Sequence, residues 1–325
     1  MKFYFAPMEG LTRYIYRNAY HTFFGGKIDK YFSPFINATM SDSFKSRELV
    51  DVLPEHNKEI YLVPQIMTNR AREFTHTAGM LKELGYEEVN LNLGCPSKTV
   101  VAKGRGSGFL AMPKELDAFL EEIFENRVTD ISIKTRIGKD EPEEFYELIE
   151  IYNKYPLKEL IIHPRVQSDF YNNKPNLDIF SEALNLSKNP ICYNGDIHTA
   201  AAYWELADRF PKVEAVMLGR GLLFNPMLIQ DIMSNPKGQD VTDCFGKGER
   251  VDRRRLREFH DTIYADYKEI LSGDTNVLFK MKEFWHYFIH MFSNHEKYIK
   301  KIKKSQKAYE YEAVVNRIFE ELELR

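Results

Sequence analysis

Along the chain, short runs of β-branched and aromatic residues alternate with longer stretches whose apolar positions recur at helical spacing. The runs lie near Phe3 to Pro7, Lys30 to Ile36, Ile60 to Met67, Glu88 to Gly94, Ile131 to Gly138, Glu159 to Arg165, Pro190 to Ile197 and Ala215 to Leu223. Each predicts a strand. Between them, Asn69 to Leu84, Pro113 to Glu125, Glu143 to Tyr155 and Thr199 to Arg209 predict helices, several opening with an Asn or Thr cap or an early proline. Strands alternating with helices over about 230 residues point to a (β/α)8 TIM barrel. A doubly wound sheet is the runner-up. It would need a glycine-rich fingerprint after the first strand, and Ala6-Pro7-Met8-Glu9-Gly10 is not one.

From Met233 to Gly248 the sequence turns to Ser, Asn, Pro, Gly and Asp, a linker composition, after which helical periodicity resumes without strand signals. The expected organisation is a barrel over 1–235 followed by a small all-helical domain over 236–325. A chain of 325 residues has room for both.

Active sites of such barrels sit at the C-terminal ends of the strands, and polar residues collect there. Glu9 follows the first strand, Gln65 closes the third, Asn92 and Cys95 close the fourth, and Lys134 and Arg136 lie on the fifth. His163 and Arg165 end the sixth, Asn194-Gly195-Asp196 the seventh, and Gly219-Arg220 the eighth. One such residue is ordinary loop chemistry; recurrence on nearly every strand points to a shared site. The glycines and arginine after the last two strands stand where many barrels hold a phosphate, so a phosphorylated cofactor fits. Lys134, an ammonium among inward strand positions, needs an anionic partner. The anionic edge of a reduced flavin or a barrel carboxylate would each supply one.

Composition narrows the classes. The chain is 43% hydrophobic and 29% charged, with no apolar run long enough to span a bilayer. Cys95, Cys192 and Cys244 are too few and too unevenly spaced for a disulfide framework, and the opening residues are too short in their apolar part for a secretory signal. A reducing cytoplasm is the expected compartment. Net charge is −3, yet residues 250–325 hold 16 Lys and Arg against 13 Asp and Glu. The tail is therefore basic and the body acidic, which suits a polyanionic partner for the tail.

Ala6-Pro7-Met8-Glu9-Gly10, Asn92-Leu93-Gly94-Cys95-Pro96, Ile133-Lys134-Thr135-Arg136, Ile162-His163-Pro164-Arg165, Asn194-Gly195-Asp196 and Leu218-Gly219-Arg220-Gly221 resemble, in order and spacing, the motifs of the tRNA-dihydrouridine synthases. The resemblance implies an FMN-binding barrel and a helical tRNA-binding domain, reducing particular uridines with NADPH. It implies that Pro7, Met8 and Glu9 line the flavin, that Gln65 and Lys134 bond its isoalloxazine edge, and that His163 lies beside it. Asn194, Gly195, Asp196, Gly219 and Arg220 would hold the ribityl phosphate. Asn92 and Arg136, with Tyr171, would contact the uracil, and Cys95 would be the general acid. Two departures stand out: His163-Pro164-Arg165 replaces the family's usual His-Gly-Arg, and Arg105 sits in the glycine-rich Gly104-Arg105-Gly106 segment. Arg105 is open to two readings, a solvated loop residue or a contact to substrate phosphate.

In the tail, Arg250, Arg253, Arg254 and Arg257 share one helical face, and Lys297, Lys300, Lys301 and Lys304 share another. Either face is a solvated surface or, beside such a barrel, a grip on an RNA backbone. Phe284, Trp285, Tyr287, Phe288 and Phe292 read as domain core. Two other functions remain consistent with parts of the sequence: a flavin reductase of a free pyrimidine or other small unsaturated substrate, and a non-catalytic RNA-binding protein. The basic tail argues against the first, and the set Cys95, Lys134 and Arg136 against the second. A monomer is the expected state.

Overall fold

The computed structural model describes residues 1–234 and 253–325. The chain forms two compact units, one of 1–9, 28–196 and 207–218, the other of 10–27, 197–206 and 219–325. The first holds the barrel strands. Their order is Lys2–Phe5, Lys30–Phe32 resuming at Ile36–Asn37, Leu62–Val63 resuming at Gln65–Met67, then Glu88–Leu93, Asp130–Gly138, Leu160–Val166, Ile191–Asn194 and Ala215–Leu218. Neighbours pair in parallel throughout, and Lys2 opposite Ala215 joins the first strand to the last. The second and third strands pair on both sides of their breaks, Tyr31 opposite Leu62 and Ile36 opposite Ile66. The ring therefore closes as an eight-stranded barrel.

The breaks have a covalent cause. Pro34 and Pro64 lack an N–H, so neither can donate to a ladder. Around them other groups take over: the Ser33 hydroxyl accepts from the Gln65 backbone N–H at 3.1 Å, and the Pro64 carbonyl accepts from Asn90 at 2.9 Å. The other departure is at the eighth strand, which ends at Leu218, whereas the apolar run to Leu223 predicts further strand. Arg220–Phe224 is a short helix whose Leu222 and Leu223 are buried. A brief apolar run has no periodicity with which to tell a buried helix from a strand.

Inside the barrel Tyr4, Phe32, Val63, Ile161, Cys192 and Met217 form a buried cluster. Charge also enters the barrel among the strand beginnings: the Lys30 ammonium lies 2.7 Å from Glu88, and the Tyr4 hydroxyl donates to Glu159 at 2.8 Å. Burial raises the Glu159 carboxyl above its ordinary range, with Lys30 and the Tyr4 bond opposing. A carboxyl raised on folding gives stability below its unfolded titration that is lost as pH rises through the folded one. Glu159→Gln keeps an acceptor for Tyr4 and removes the charge. Its urea midpoint is expected to change less between about pH 5 and 7 than that of the wild type; equal slopes would show that Glu159 does not titrate there.

Around the strands, helices such as Pro113–Glu125 turn one apolar face inward, here Leu116, Phe119, Leu120 and Ile123. In the second unit, helices Tyr14–Phe24, Arg253–Ile270, Asp274–Phe288, Glu296–Lys304 and Ala308–Glu321 surround an aromatic core. Phe259, Phe284, Trp285, Phe288, Phe292 and Phe319 are all at least nine-tenths buried, whereas Tyr287 keeps partial exposure. The two basic faces differ. Arg253 donates to the Phe319 carbonyl and Arg257 bonds Asp261 and Asn316, so both are engaged within their own unit. Lys297, Lys300, Lys301 and Lys304 stand exposed. Arg250, Cys244, most of the expected linker and the expected boundary at 235 and 236 lie outside the described residues. No helix among the described residues is long and apolar enough to cross a membrane.

Candidate active site at the barrel mouth

Side chains alternate in and out along a strand, and this period sets Asn90 and Asn92 on one face of the fourth strand and Ser132, Lys134 and Arg136 on one face of the fifth. Register aligns them: Asn92 lies opposite Lys134, and Arg136 opposite His163. A chain of hydrogen bonds runs from the third strand to the fifth. Gln65 Nε2 donates to Asn90 Oδ1 at 2.8 Å, Asn90 Nδ2 donates to Ser132 Oγ at 3.0 Å, and Asn92 Nδ2 donates to Gln65 Oε1 at 2.7 Å. Asn92 Oδ1 then accepts from the backbone N–H of both Gly94 and Cys95 at 3.0 Å. Asn90 and Ser132, fully buried, belong to this network without having been marked by the sequence reading. The period-2 alternation with Asn92 and Lys134 was the signal for them.

The turn carrying Cys95 is held by backbone bonds. Its N–H is taken by Asn92, and its carbonyl accepts from the Ser107 N–H at 3.1 Å and the Ser107 hydroxyl at 2.8 Å. Gly106, next to Ser107, has φ of +55°, and a Cβ there would lie 2.8 Å from the Cys95 carbonyl oxygen. The thiol itself is half-buried. Burial raises its pKa against the pull of Lys134 and Arg136, so it stays protonated at neutral pH.

Lys134 is half-buried, and no hydrogen bond or ion pair reaches its ammonium among the described residues. The barrel carboxylate that would have been its mundane partner is absent there. Burial first, and Arg136 second, lower its pKa from 10.5 to about 8. This is the observation that bears on a cofactor. An ammonium in a recess, unpaired and beside a second cation, fits a ligand edge rich in hydrogen-bond acceptors and negative charge, which is what a flavin ring presents.

Arg136 is 1% exposed and works as a clamp. It donates to the carbonyls of Gly94 at 3.0 Å, Val166 at 2.8 Å and Phe170 at 2.7 Å, tying the loop after the fourth strand to the loop after the sixth. Phe170 has φ of +50°, a left-handed backbone costing a bulky residue about 1–3 kcal/mol. The bond to Arg136 offsets part of that strain. Half-exposed Tyr171 follows, its ring 5.6 Å from the guanidinium and 6.1 Å from the His163 ring. Arg136→Lys keeps a cation but loses the planar fork, and is expected to cost about 2–3 kcal/mol of folding stability by urea unfolding. A loss under about 0.5 kcal/mol would mean the loops are held by other bonds.

The remaining expected residues divide. Pro7 and Met8 are half-buried after the first strand, while Glu9 is exposed and pairs with Arg47 at 2.8 Å. Asn194 donates to the Met217 carbonyl at 2.8 Å, joining the last two strands. At Gly195 a Cβ would lie 2.1 Å from the Tyr193 hydroxyl, so only glycine lets that ring lie against the turn. Asp196 is engaged by both terminal nitrogens of Arg165, and Arg165 also donates to His163 Nε2 at 2.9 Å. Gly219 and Arg220 begin the short helix of the second unit. Arg105 lies 3.6 Å from Glu73 and is mostly buried, which overturns the solvated reading.

A family model described as dihydrouridine synthase (Dus) matches residues 4–323. A probable tRNA-dihydrouridine synthase of Staphylococcus aureus is 26% identical over 271 residues, covering 78% of this chain and 80% of that one. A probable tRNA-dihydrouridine synthase 2 of Bacillus subtilis is 25% identical over 252 residues, covering 74% and 75%. Among solved structures, morphinone reductase in complex with tetrahydroNAD superposes with a TM-score of 0.50 at 13% identity, over 77% of this chain and 91% of that one. Histamine dehydrogenase from Rhizobium sp. 4-9 gives 0.54 at 11% identity, over 72% of this chain and 46% of its own length. At such identities these two report the barrel fold alone. With motif order, barrel and sequence relatives in agreement, the chain belongs to the dihydrouridine synthase family.

Proposed function

We propose that this protein reduces specific uridines of tRNA to 5,6-dihydrouridine, with FMN held at the barrel mouth and NADPH as reductant. The observation that carries the reading is the pairing of an unpartnered ammonium, Lys134, with a protonated thiol on a rigid turn, Cys95, on adjacent strands. When bound, the flavin supplies hydride for carbon 6 of uracil. The chain supplies the rest. Lys134 and Gln65 would donate to the acceptor edge of the flavin, Pro7, Met8 and Glu9 would line it, and His163 would lie beside it. Asn194, Gly195, Asp196, Gly219 and Arg220 are proposed to serve its phosphate. Cys95 gives the proton to carbon 5. Asn92, Arg136 and Tyr171 are proposed to orient the uracil and stabilise charge developing toward its carbonyl oxygen. Both lone pairs of Asn92 Oδ1 serve the Cys95 turn, so its remaining amide N–H is the group it offers.

A base inside a folded RNA reaches such a mouth only by leaving the stack. We assign residues 1–235 to this catalytic barrel and 236–325 to a tRNA-binding domain, whose exposed lysines between Lys297 and Lys307 suit a phosphate backbone. Named relatives that are probable tRNA-dihydrouridine synthases support the substrate. The reading includes a monomer working in the cytoplasm.

The test uses purified full-length protein, unmodified tRNA and NADPH. A yellow protein that forms dihydrouridine in tRNA, read by nucleoside mass spectrometry, and leaves free uridine untouched is the expected result. Comparable turnover of free uracil or uridine would transfer the assignment to a small-pyrimidine reductase. A colourless protein that binds tRNA without changing it would leave only a binding role.

A further inference from the structure

We infer that Arg165 is a positioning residue that fixes His163 as the neutral imidazole protonated on Nδ1, with Asp196 holding Arg165 in place. The inference deepens the function proposed above and rests on it for the place of His163 beside the flavin.

The argument is one of donors and acceptors. A guanidinium has five N–H donors and no acceptor. Arg165 Nη1 lies 2.9 Å from His163 Nε2, so Nε2 must accept and carry no proton, and in a neutral ring the proton sits on Nδ1. A doubly protonated ring would set N–H against N–H. Arg165 has little freedom to yield. Nη1 also donates to Asp196 Oδ1 at 3.0 Å, Nη2 donates to Asp196 Oδ2, and Nε donates to the Asn173 carbonyl at 2.5 Å. The side chain is 1% exposed. With its N–H groups so occupied, it is placed to act on a ligand through His163 rather than by touching it.

The charged and titratable groups around the ring agree. Arg165 stands on its own strand, Arg136 faces it in register from the fifth strand, Tyr171 comes from the following loop, and Asp196 lies beyond the seventh strand. Among these groups are two cations, and the carboxylate of Asp196 is bidentate to one of them. The arrangement makes Asp196 the anchor of this relay as well as a candidate neighbour of phosphate. It also gives His163 one task in the reaction, that of a fixed N–H donor, and leaves proton supply to the thiol.

The test is nitrogen NMR of full-length protein labelled with 15N-histidine, the His163 signal being assigned by its loss in His163→Gln. In the wild type, Nδ1 is expected to be protonated and Nε2 bare, unchanged from about pH 6 to 8, with or without added FMN. A wild-type signal with the proton on Nε2, or one that titrates as an exposed histidine does, overturns the inference. Because this reading needs neither turnover nor bound flavin, it can fail while the proposed function stands, and the reverse. Arg165→Gln should let the ring titrate, lower kcat by about 10-fold without raising the KM for tRNA, and add an acid limb to the pH profile. Arg165→Lys, which still donates one N–H, should restore part of both. Loss of activity in Arg165→Gln with the tautomer and pH profile unchanged would reduce Arg165 to a structural role. Should that variant not fold, the wild-type tautomer alone decides.

Discussion

Cys95→Ala is expected to slow dihydrouridine formation in tRNA by about 10²- to 10⁴-fold, the usual contribution of a positioned acid, with flavin content unchanged. The expectation of intact flavin and fold follows from how the turn is built. The main bonds that hold it use backbone, Cys95 to Asn92 on one side and to Ser107 on the other, with Arg136 on the Gly94 carbonyl. Removing the sulfur removes only its bond with the Ser97 backbone N–H. The expectation of a slow reaction follows from protonation. Burial raises the thiol pKa, so the acid form prevails at neutral pH, and activity should fall only as alkaline pH titrates it. Cys95→Ser retains a proton on a far weaker acid and should stay slow. Single-turnover reduction of tRNA by prereduced protein measures this step, and a rate within a factor of about three of the wild type would remove Cys95 from the acid role.

Lys134→Met should move flavin affinity and apoprotein stability in opposite directions. Losing a charged donor to the ligand is expected to weaken FMN binding on the order of 10- to 100-fold, read by fluorescence titration. The apoprotein should nonetheless melt at a higher temperature, because an unpaired, largely desolvated ammonium is replaced by an apolar chain of similar length. The pH signature follows from linkage. The folded pKa of about 8 lies below the ordinary 10.5, so between them the unfolded chain holds the extra proton and apoprotein stability rises with pH. Lys134→Met should lack that rise. An apoprotein that becomes less stable on substitution would mean Lys134 has an anionic protein partner.

Much of this site could be read from periodicity. A period of two puts Lys134 and Arg136 on one face of the fifth strand beside Asn92 on the fourth, and the barrel reading puts that face at the mouth. What spacing does not carry is the direction of a side chain's bonds. Arg136 serves three carbonyls, Asp196 serves Arg165, and Glu9 serves Arg47, each choice made by loops whose conformations depend on the whole barrel. The arginine and lysine faces of the tail show the same limit: both have helical spacing, but only tertiary packing reveals that Phe319 and Asn316 engage Arg253 and Arg257. Composition predicts unbroken strands at Lys30 to Ile36 and Ile60 to Met67, and the breaks at Pro34 and Pro64 with their repair by Ser33 come only from the structure.

The two hydrogen bonds from Ser107 to the Cys95 carbonyl have a mechanical consequence. With Gly106 pressed against the same oxygen and the Val101 carbonyl 2.7 Å from where a Gly108 Cβ would stand, residues 94–108 form a single stiff bracket. On the function proposed above, an incoming base would meet a turn whose backbone does not yield, so it would fit the room already there or tilt the bracket as a body. A bulky side chain grafted onto Gly106 or Gly108 would then change that room from a distance.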